Sequence, residues 1–424
     1  MSKECPVVAV FGYNNVRIYD VMKIKKIVFS LYGANLLLCK KGITNADWQA
    51  VDYCCDVKLG ETLESNKIEF NKIKKYCEEE NVCIIGILPF SDKGVILGAY
   101  VGMQLGLPHD DYDTALVCLD KYEFRKSELE YDKLPKQYLK PSFTLIKGKE
   151  DLLSFYKYIG GNIILKPTSE GNSRGCVVIT HPDHIQSAVQ EVDKYFEQGV
   201  IAEECINYTQ EYSYDQVAGV AWLTEKQTTQ KPYCAEIQQI VPAPLSKENY
   251  NDYLEIGSTM ANISGSLGGA AHNEFFVTED GDFYAVEPNR RPAGDRIWDL
   301  AGLAFKYFSP WEAWIKWAVT REYQSGILQN QCSVGLRRIT PSKNGVIVNI
   351  DSHKLKSIRS DKFSGIEELV VSKHVGDLVT YTPKDNSQFL GYIIARRIDA
   401  NVLKELLIKK CEEIQKCFEI KQID

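Results

Sequence analysis

A chain of 424 residues with 50 Lys+Arg against 57 Asp+Glu carries a formal net charge of −7. Its 44% apolar and 25% charged content excludes a disordered or fibrous chain, and at ~100–200 residues per domain the length predicts two or three domains. The mild acidity, with a pI near 5.6, argues against a generic nucleic-acid or acidic-membrane binder, so any anion site must be a local concentration of positive charge. The 13 cysteines are scattered from Cys5 to Cys417 with no C-x-x-C and no zinc-finger spacing, which reads as reduced thiols. The N-terminus has too short an apolar stretch for a signal peptide, and apolar runs such as 84–88 fall far short of the ~20 residues of a membrane span. A cytoplasmic protein with neither nucleic acid nor membrane as partner is expected.

In chain order, the first part alternates short apolar runs with helix-like polar stretches, the pattern of a parallel α/β layer. Strands are predicted at 7–11, 35–39 and 82–87, with an amphipathic helix at 69–80. Over 92–105, Gly94, Gly98 and Gly102 fall on one helix face, which predicts close packing there. No G-x-G-x-x-G follows the first strand, which argues against a dinucleotide site. The polar stretch 108–113 marks a first boundary, giving a domain of 1–115. A second, 116–325, mixes strands at 162–166, 176–180, 200–204, 211–218, 233–241 and a hairpin at 272–289 with helices at 116–129, 184–196 and 250–263. Short strands with glycine-marked turns and a closing helix at 400–418 make up 326–424.

The hairpin carries the first chemical signal. Asp280-Gly281 between two alternating runs reads as a two-residue turn. Glu274 then faces Glu287, His272 faces Asn289, and all four project from one side of the sheet. Phe275, Val277, Tyr284 and Val286 form the core face. Opposed carboxylates repel unless their charge is cancelled. A hard divalent cation held by Glu274, Glu287 and the Asn289 carbonyl would do so, and all-oxygen ligation suits Mg²⁺ carrying nucleotide phosphates; solvated acids on an exposed sheet face are the alternative. Directly after comes a cationic run, Arg290-Arg291-Pro292-Ala293-Gly294-Asp295-Arg296, suited to phosphate or carboxylate oxygens.

The second signal is Ile163-Ile164-Leu165-Lys166-Pro167-Thr168-Ser169-Glu170-Gly171-Asn172-Ser173-Arg174-Gly175. A lysine ends a buried strand and a small polar loop follows, able to turn backbone N–H groups toward phosphate. It is not a Walker A loop, and a plain surface hairpin reads equally well. Other features read as structural. Trp311, Trp314 and Trp317 share a helix face and suit packing, and His181 and His184 beside Pro182-Asp183 suit helix capping.

Together these pieces resemble the ATP-grasp enzymes. The order is Asp120-Lys121-Tyr122-Glu123-Phe124-Arg125, then Ile164-Leu165-Lys166-Pro167, then Ile201-Ala202-Glu203-Glu204-Cys205-Ile206 followed by Gln210-Glu211, and last the hairpin ending in Arg291. The resemblance implies that Lys121 and Lys166 contact nucleotide phosphates, together with Ser169 and Ser173 of the loop. It implies backbone contacts to adenine at Glu203, Glu204 and Ile206, ribose binding by Glu211, and Mg²⁺ (or Mn²⁺) on Glu274, Glu287 and Asn289. Arg291 would stabilise the transferred phosphoryl group or the tetrahedral intermediate. The looser similarity of Leu88-Pro89-Phe90-Ser91-Asp92 and of the tail, Gly335-Leu336-Arg337-Arg338 through Gly391-Tyr392, points to the L-amino acid ligase branch. The implied fold is a Rossmann-like pre-ATP-grasp domain, a two-lobed α+β ATP-grasp core and a small β-rich C-terminal domain. The phosphate loop has only Gly171 and Gly175, and Ala293 stands where relatives commonly have glycine.

The implied reaction phosphorylates a carboxylate with ATP and lets an amine attack the acyl phosphate, giving an amide or peptide bond, ADP and phosphate. Small carboxylate and amine partners, amino acids first among them, are expected. His272, on the metal face, would meet phosphate or the carboxyl substrate, and Arg296 and Asp295 the two ends of an amino acid. Activation of formate, bicarbonate or another carboxylate is a second reading, and an ATP-binding regulatory protein without turnover a third. The C-terminal strands carry no readable constellation; closing over substrate and building a homodimer interface are both open to them.

Overall fold

The first strand, Cys5–Phe11, lies between Asn35–Lys40 and Val82–Pro89, with Tyr53–Asp56 outside, in a four-stranded parallel sheet. Its central residues are apolar and buried, as a parallel layer covered on both faces requires. The chain runs outward from the first strand to Tyr53–Asp56 and then crosses back to Val82–Pro89 on the other side. That reversal opens a crevice at the C-terminal ends of Cys5–Phe11 and Val82–Pro89, where such sheets bind ligands. Tyr53–Asp56 escapes the sequence pattern because four residues are too few to set a period. The computed structural model describes residues 4–171, 174–229, 235–361 and 365–422.

The helix Asp92–Leu105 leaves this crevice with Ser91 as its N-cap. Its three glycines do let it sit close. A Cβ at Gly94 would overlap the Phe11 carbonyl oxygen, one at Gly98 would lie 3.0 Å from Pro89 Cγ, and one at Gly102 2.7 Å from His109 Cβ. The helix expected at 116–129 is broken, because Asp120 accepts from the N–H groups of Tyr122 and Glu123 and starts a new helix, Lys121–Glu130.

A small antiparallel sheet, in the order Phe143–Ile146, Val200–Glu204, Ile163–Pro167, Val177–Ile179, forms one lobe. The other is a nine-stranded sheet. Its order is Ile366–Val371, Gly391–Arg397, Ser333–Ile339, Glu236–Val241, Val220–Thr228, Gln210–Val217, Ala271–Val277, Phe283–Asn289, Tyr138–Leu139. The tail expected as a separate unit therefore continues the core sheet, Ser333–Ile339 pairing with Glu236–Val241. Without that pairing Glu236–Val241 would present an open edge. Of the strand predicted at 233–241, residues 233 and 234 lie outside the described residues. The closing helix ends at Gln415, and Phe418–Lys421 is a strand.

The hairpin reaches its expected pairing by another route. Glu274 does pair with Glu287 and His272 with Asn289, but beyond them the register shifts, Phe275 facing Ala285 and Val277 facing Phe283. The turn is longer than two residues: Thr278 N–H bonds to Asp282 O, and Gly281 adopts φ 81°. Val286 is the extra residue, a β-bulge. The core face is accordingly Phe275, Val277, Phe283 and Ala285, in place of the predicted Tyr284 and Val286.

Gly94→Ala should lower the urea midpoint by an amount worth ~1–3 kcal/mol, because the added methyl meets backbone. Gly98→Ala, facing only a side-chain carbon, should be near neutral once the ~1 kcal/mol helix-propensity gain is included. Equal midpoints for the two variants would contradict the packing described.

Candidate active site

Lys121 is the first residue of its helix because Asp120 caps it. Its Nζ lies 3.2 Å from Glu287 Oε2 and donates to Glu170 O of the polar loop at 2.7 Å. One turn further on, buried Arg125 bonds Glu203 Oε1 and Glu128 Oε2, each at 2.6 Å, and Ala285 O at 2.8 Å. Lys166, ending the strand Ile163–Pro167, donates to Glu203 Oε2 at 2.6 Å. Burial alone would raise the Glu203 pKa, but Arg125 and Lys166 outweigh it and hold the carboxyl at about 2. The Glu203 side chain thus serves as an anchor for two cations.

A second centre was not read from the sequence. Lys226, on Val220–Thr228 and 2% exposed, contacts Glu211 at 3.0 Å, Glu236 at 2.8 Å, and Glu274. Burial would lower its pKa, yet the three carboxylates push it well above its ordinary value. Beside it, His272 Nδ1 lies 3.0 Å from Asp215 Oδ1 and Nε2 3.3 Å from Glu274 Oε1. A ring with a carboxylate at each nitrogen donates from both, so it is an imidazolium. Burial opposes that charge, but Asp215 and Glu274 raise the His272 pKa to about 9. Glu274, raised by burial but outweighed by Lys226 and His272, lies at about 2. Burial pushes Glu211 up, partly offset by Lys226.

The like-charge argument for a cation is therefore corrected. Lys226 and His272 already neutralise Glu274, and Lys121 meets Glu287, so repulsion does not by itself require a metal. Among the described residues there is no group of three or more His, Cys, Asp or Glu able to hold a metal ion. The donor set consists of two carboxylates and an amide, Asn289 Nδ2 standing 3.4 Å from Glu287 Oε1. Hard oxygen donors of this kind fit Mg²⁺.

Arg291 bonds Asp92, the first residue of the helix rising from the sheet crevice, and the N-terminal layer thereby enters the site. Burial would lower the Arg291 pKa, but Asp92 more than offsets it. Its neighbour Arg290 turns away and ties the hairpin end to Asp111 O at 2.6 Å and Gly265 O at 3.0 Å. Arg296 departs from expectation: Asp299, Glu368 at 2.9 Å and Tyr392 at 2.9 Å take up its guanidinium. It does not line the cavity, whereas Asp295 does.

That cavity measures about 590 Å³, within the range of small-molecule sites. It lies between the two sheets and reaches the N-terminal layer. Lys121, Lys166, Ser169, Glu203, Glu204, Ile206, Glu211, His272, Glu274, Glu287 and Arg291 all line it, as do Lys226, Glu236 and Asn386. Ser173 lies outside the described residues. Asn289 is buried behind Glu287. The tryptophans at 311, 314 and 317 are buried in packing, and His181 caps a short helix turn.

Residues 135–303 match the ATP-grasp domain family. D-alanine–D-alanine ligase B of Chromobacterium violaceum is 27% identical over 227 residues, covering 51% of this chain and 72% of that protein. The crystal structure of L-amino acid ligase from Bacillus licheniformis aligns over 100% of both chains with TM-score 0.76 at 16% identity. Phosphoribosylglycinamide synthetase from Anaerococcus prevotii aligns over 99% of this chain and 100% of its own, with TM-score 0.67 at 13% identity. N5-carboxyaminoimidazole synthase from Aspergillus clavatus, in complex with ADP and its ribonucleotide, aligns over 98% and 100% with TM-score 0.68 at 12% identity. At such identities the solved structures speak to the fold. Residues 135–303 thus match an ATP-grasp domain, within a fold that the whole chain shares with these solved structures. No helix among the described residues is long and apolar enough to cross a membrane.

The folded pKa of His272, about 9 against an ordinary 6.5, sets a stability window. Its stabilisation is fully present below 6.5 and lost as pH rises through 9, ~3 kcal/mol at most. Glu203 and Glu274, at about 2, act oppositely: their contribution is present above 4.5 and lost as pH falls toward 2. Urea unfolding between pH 6.5 and about 9 should show a declining midpoint in the native chain and a clearly shallower decline in His272→Gln. An unchanged slope in the variant would remove His272 as its source.

Proposed function

We propose that this enzyme joins a carboxylate to an amine, using ATP and passing through an acyl phosphate, with amino acids as the first candidates for both partners. The supporting observation is the convergence in one cavity of Lys121, Lys166, the opposed Glu274 and Glu287, and Arg291. Each has a chemical task in such a reaction. The nucleotide lies between the two sheets, its phosphates toward Lys121, Lys166 and the loop at Ser169, and its base along the backbone of 203–206. Lys121 and Lys166 offset the repulsion between the triphosphate and an incoming carboxylate.

Glu274, Glu287 and the Asn289 carbonyl would hold Mg²⁺, which when bound supplies charge neutralisation to the phosphate oxygens. A carboxylate oxygen attacks the γ-phosphorus, and the bond to the ADP oxygen breaks. The amine nitrogen then attacks the acyl carbon, the C–O bond to phosphate breaks, and phosphate leaves. Arg291, kept charged by Asp92, faces the negative charge that develops at the reacting carboxyl. His272, as an imidazolium, adds a fixed positive charge beside Glu274.

Amine-dependent ADP release over pairs of amino acids, with mass spectrometry of the product, tests this reading. Glu287→Gln and Lys166→Met should each lower that rate at least ~100-fold while the circular dichroism spectrum stays native. Native-like turnover in either would exclude the assignment. Trapping of an acyl hydroxamate from formate or bicarbonate, but from no amino acid, would move the carboxylate out of the amino-acid class.

A further inference from the structure

The turn 292–296 holds two consecutive non-glycine residues in the left-handed region, Asp295 at φ 46° and Arg296 at φ 62°. Such backbone persists where surrounding structure over-determines it. Three elements hold Asp295. Arg338 of Ser333–Ile339 pairs with Oδ1, Gln239 Nε2 of Glu236–Val241 donates to Oδ2 at 3.3 Å, and Asn386 Nδ2 lies 3.4 Å from that same Oδ2. Asn386 Nδ2 also lies 2.8 Å from Glu236 Oε2. One amide nitrogen thus touches both acids and holds the two carboxyls near each other.

Two neighbouring carboxyls in a buried place resist ionising together, so one of them keeps a proton to higher pH. Lys226 and Arg338 are the cations facing the pair. Lys226 sits on Glu236 and keeps it ionised against the effect of burial, so of the two acids Asp295 is the one that takes up a proton more readily. Burial, then the Glu236 charge, push Asp295 up to about 7, with Arg338 offsetting part. Both acids line the same cavity as Arg291. Gln239, 1% exposed, adds a buried Oε1 with no hydrogen-bond partner among the described residues, while its Nε2 rests on Asp295. Arg338, Gln239, Asn386 and Lys226 each take up part of the two carboxyls, and an ammonium group entering the cavity would meet the lone pairs that remain.

We propose that Asp295 is the proton acceptor for the amine in the amide-forming step, a role that rests on the carboxylate–amine reading above. The amine binds as an ammonium against Asp295 and Glu236. One of its protons passes to the Asp295 carboxylate, and the freed nitrogen pair forms the bond to the acyl carbon. As the tetrahedral centre collapses, the C–O bond breaks and its electron pair leaves with phosphate, which takes the second nitrogen proton. Asp295 then returns its proton to solvent. A base poised near neutrality is suited to this transfer.

Hydroxylamine separates this step from carboxylate activation, because it is largely unprotonated at neutral pH and needs no base to become a nucleophile. Asp295→Asn keeps the size and tolerates the left-handed backbone. It should lower ADP release with amino acids as the amine by ~100-fold or more, while release with hydroxylamine stays within about twofold of the native rate. The native pH profile should fall on its acidic side near pH 7, that limb should vanish in Asp295→Asn, and Asp295→Glu should restore it in part. Equal losses with both nucleophiles would reduce Asp295 to a structural part. An unchanged amino-acid rate with its acidic limb intact would remove it from the step altogether. A native enzyme that forms no hydroxamate from any carboxylate would overturn the ligase reading itself, and this role with it.

Discussion

The ammonium of Lys226 is the charge about which the site is arranged. Its partners Glu211, Glu236 and Glu274 sit on three other strands, Gln210–Val217, Glu236–Val241 and Ala271–Val277, which with its own are four consecutive strands of the large sheet. A charge this deeply buried is tolerated only when paired, and loss of any partner leaves an uncompensated ion. The contact therefore fixes the strands' side chains relative to one another and keeps three carboxylates together at the cavity. Arg125 performs the same task on the opposite wall, joining Glu203, Glu128 and the backbone of Ala285. The two lobes thus face each other with their acids already neutralised.

Much of this was legible in the sequence, and the omissions have physical causes. The strand–helix alternation of the first part and the glycine face of Asp92–Leu105 follow from periodicity alone, whereas the pairing of Glu274 with Glu287 is met only because a longer turn and the bulge at Val286 offset each other. Lys226 was not legible. It lies in VAWLTEKQT, a strand whose polar half shows no clean alternation because both faces there meet polar partners. Its three acids come from strands brought together only by topology, and a single lysine with no nearby motif looks like solvated surface. Arg296 failed in the opposite sense. It follows Arg291 closely in sequence, but the left-handed backbone at Asp295 and Arg296 turns the chain so that Arg296 points to Glu368 and Tyr392 while Asp295 keeps the cavity.

The net charge of −7 is consistent with this arrangement. Cations are concentrated at the cavity and most are already bound to acids: Lys166 to Glu203, Lys121 to Glu287, Arg291 to Asp92. A polyanion entering such a site meets oriented charges whose geometry was set during folding, which is the condition for electrostatic stabilisation without reorganisation at the moment of reaction. The Asp92–Arg291 contact extends this to the N-terminal layer, because the crevice created by its strand order opens into the same cavity.

The hairpin shows how packing and chemistry are reconciled within seven residues. Phe283 and Ala285 must face the core with Phe275 and Val277, which by strict alternation would send Glu287 into that core as well. The extra residue at Val286 reverses the phase. Glu287 then faces Glu274 on the cavity side, and Val286 itself becomes part of the cavity wall. A two-residue turn would have kept the carboxylates opposed only by placing Tyr284 and Val286 in the core, exchanging a phenylalanine and an alanine for a phenolic hydroxyl and a branched chain. The longer turn with its left-handed Gly281 and the bulge together satisfy the apolar register at one end and the pairing of the two carboxylates at the other. The bulge therefore lies between Ala285 and Glu287, where the hairpin passes from core packing to the cavity wall.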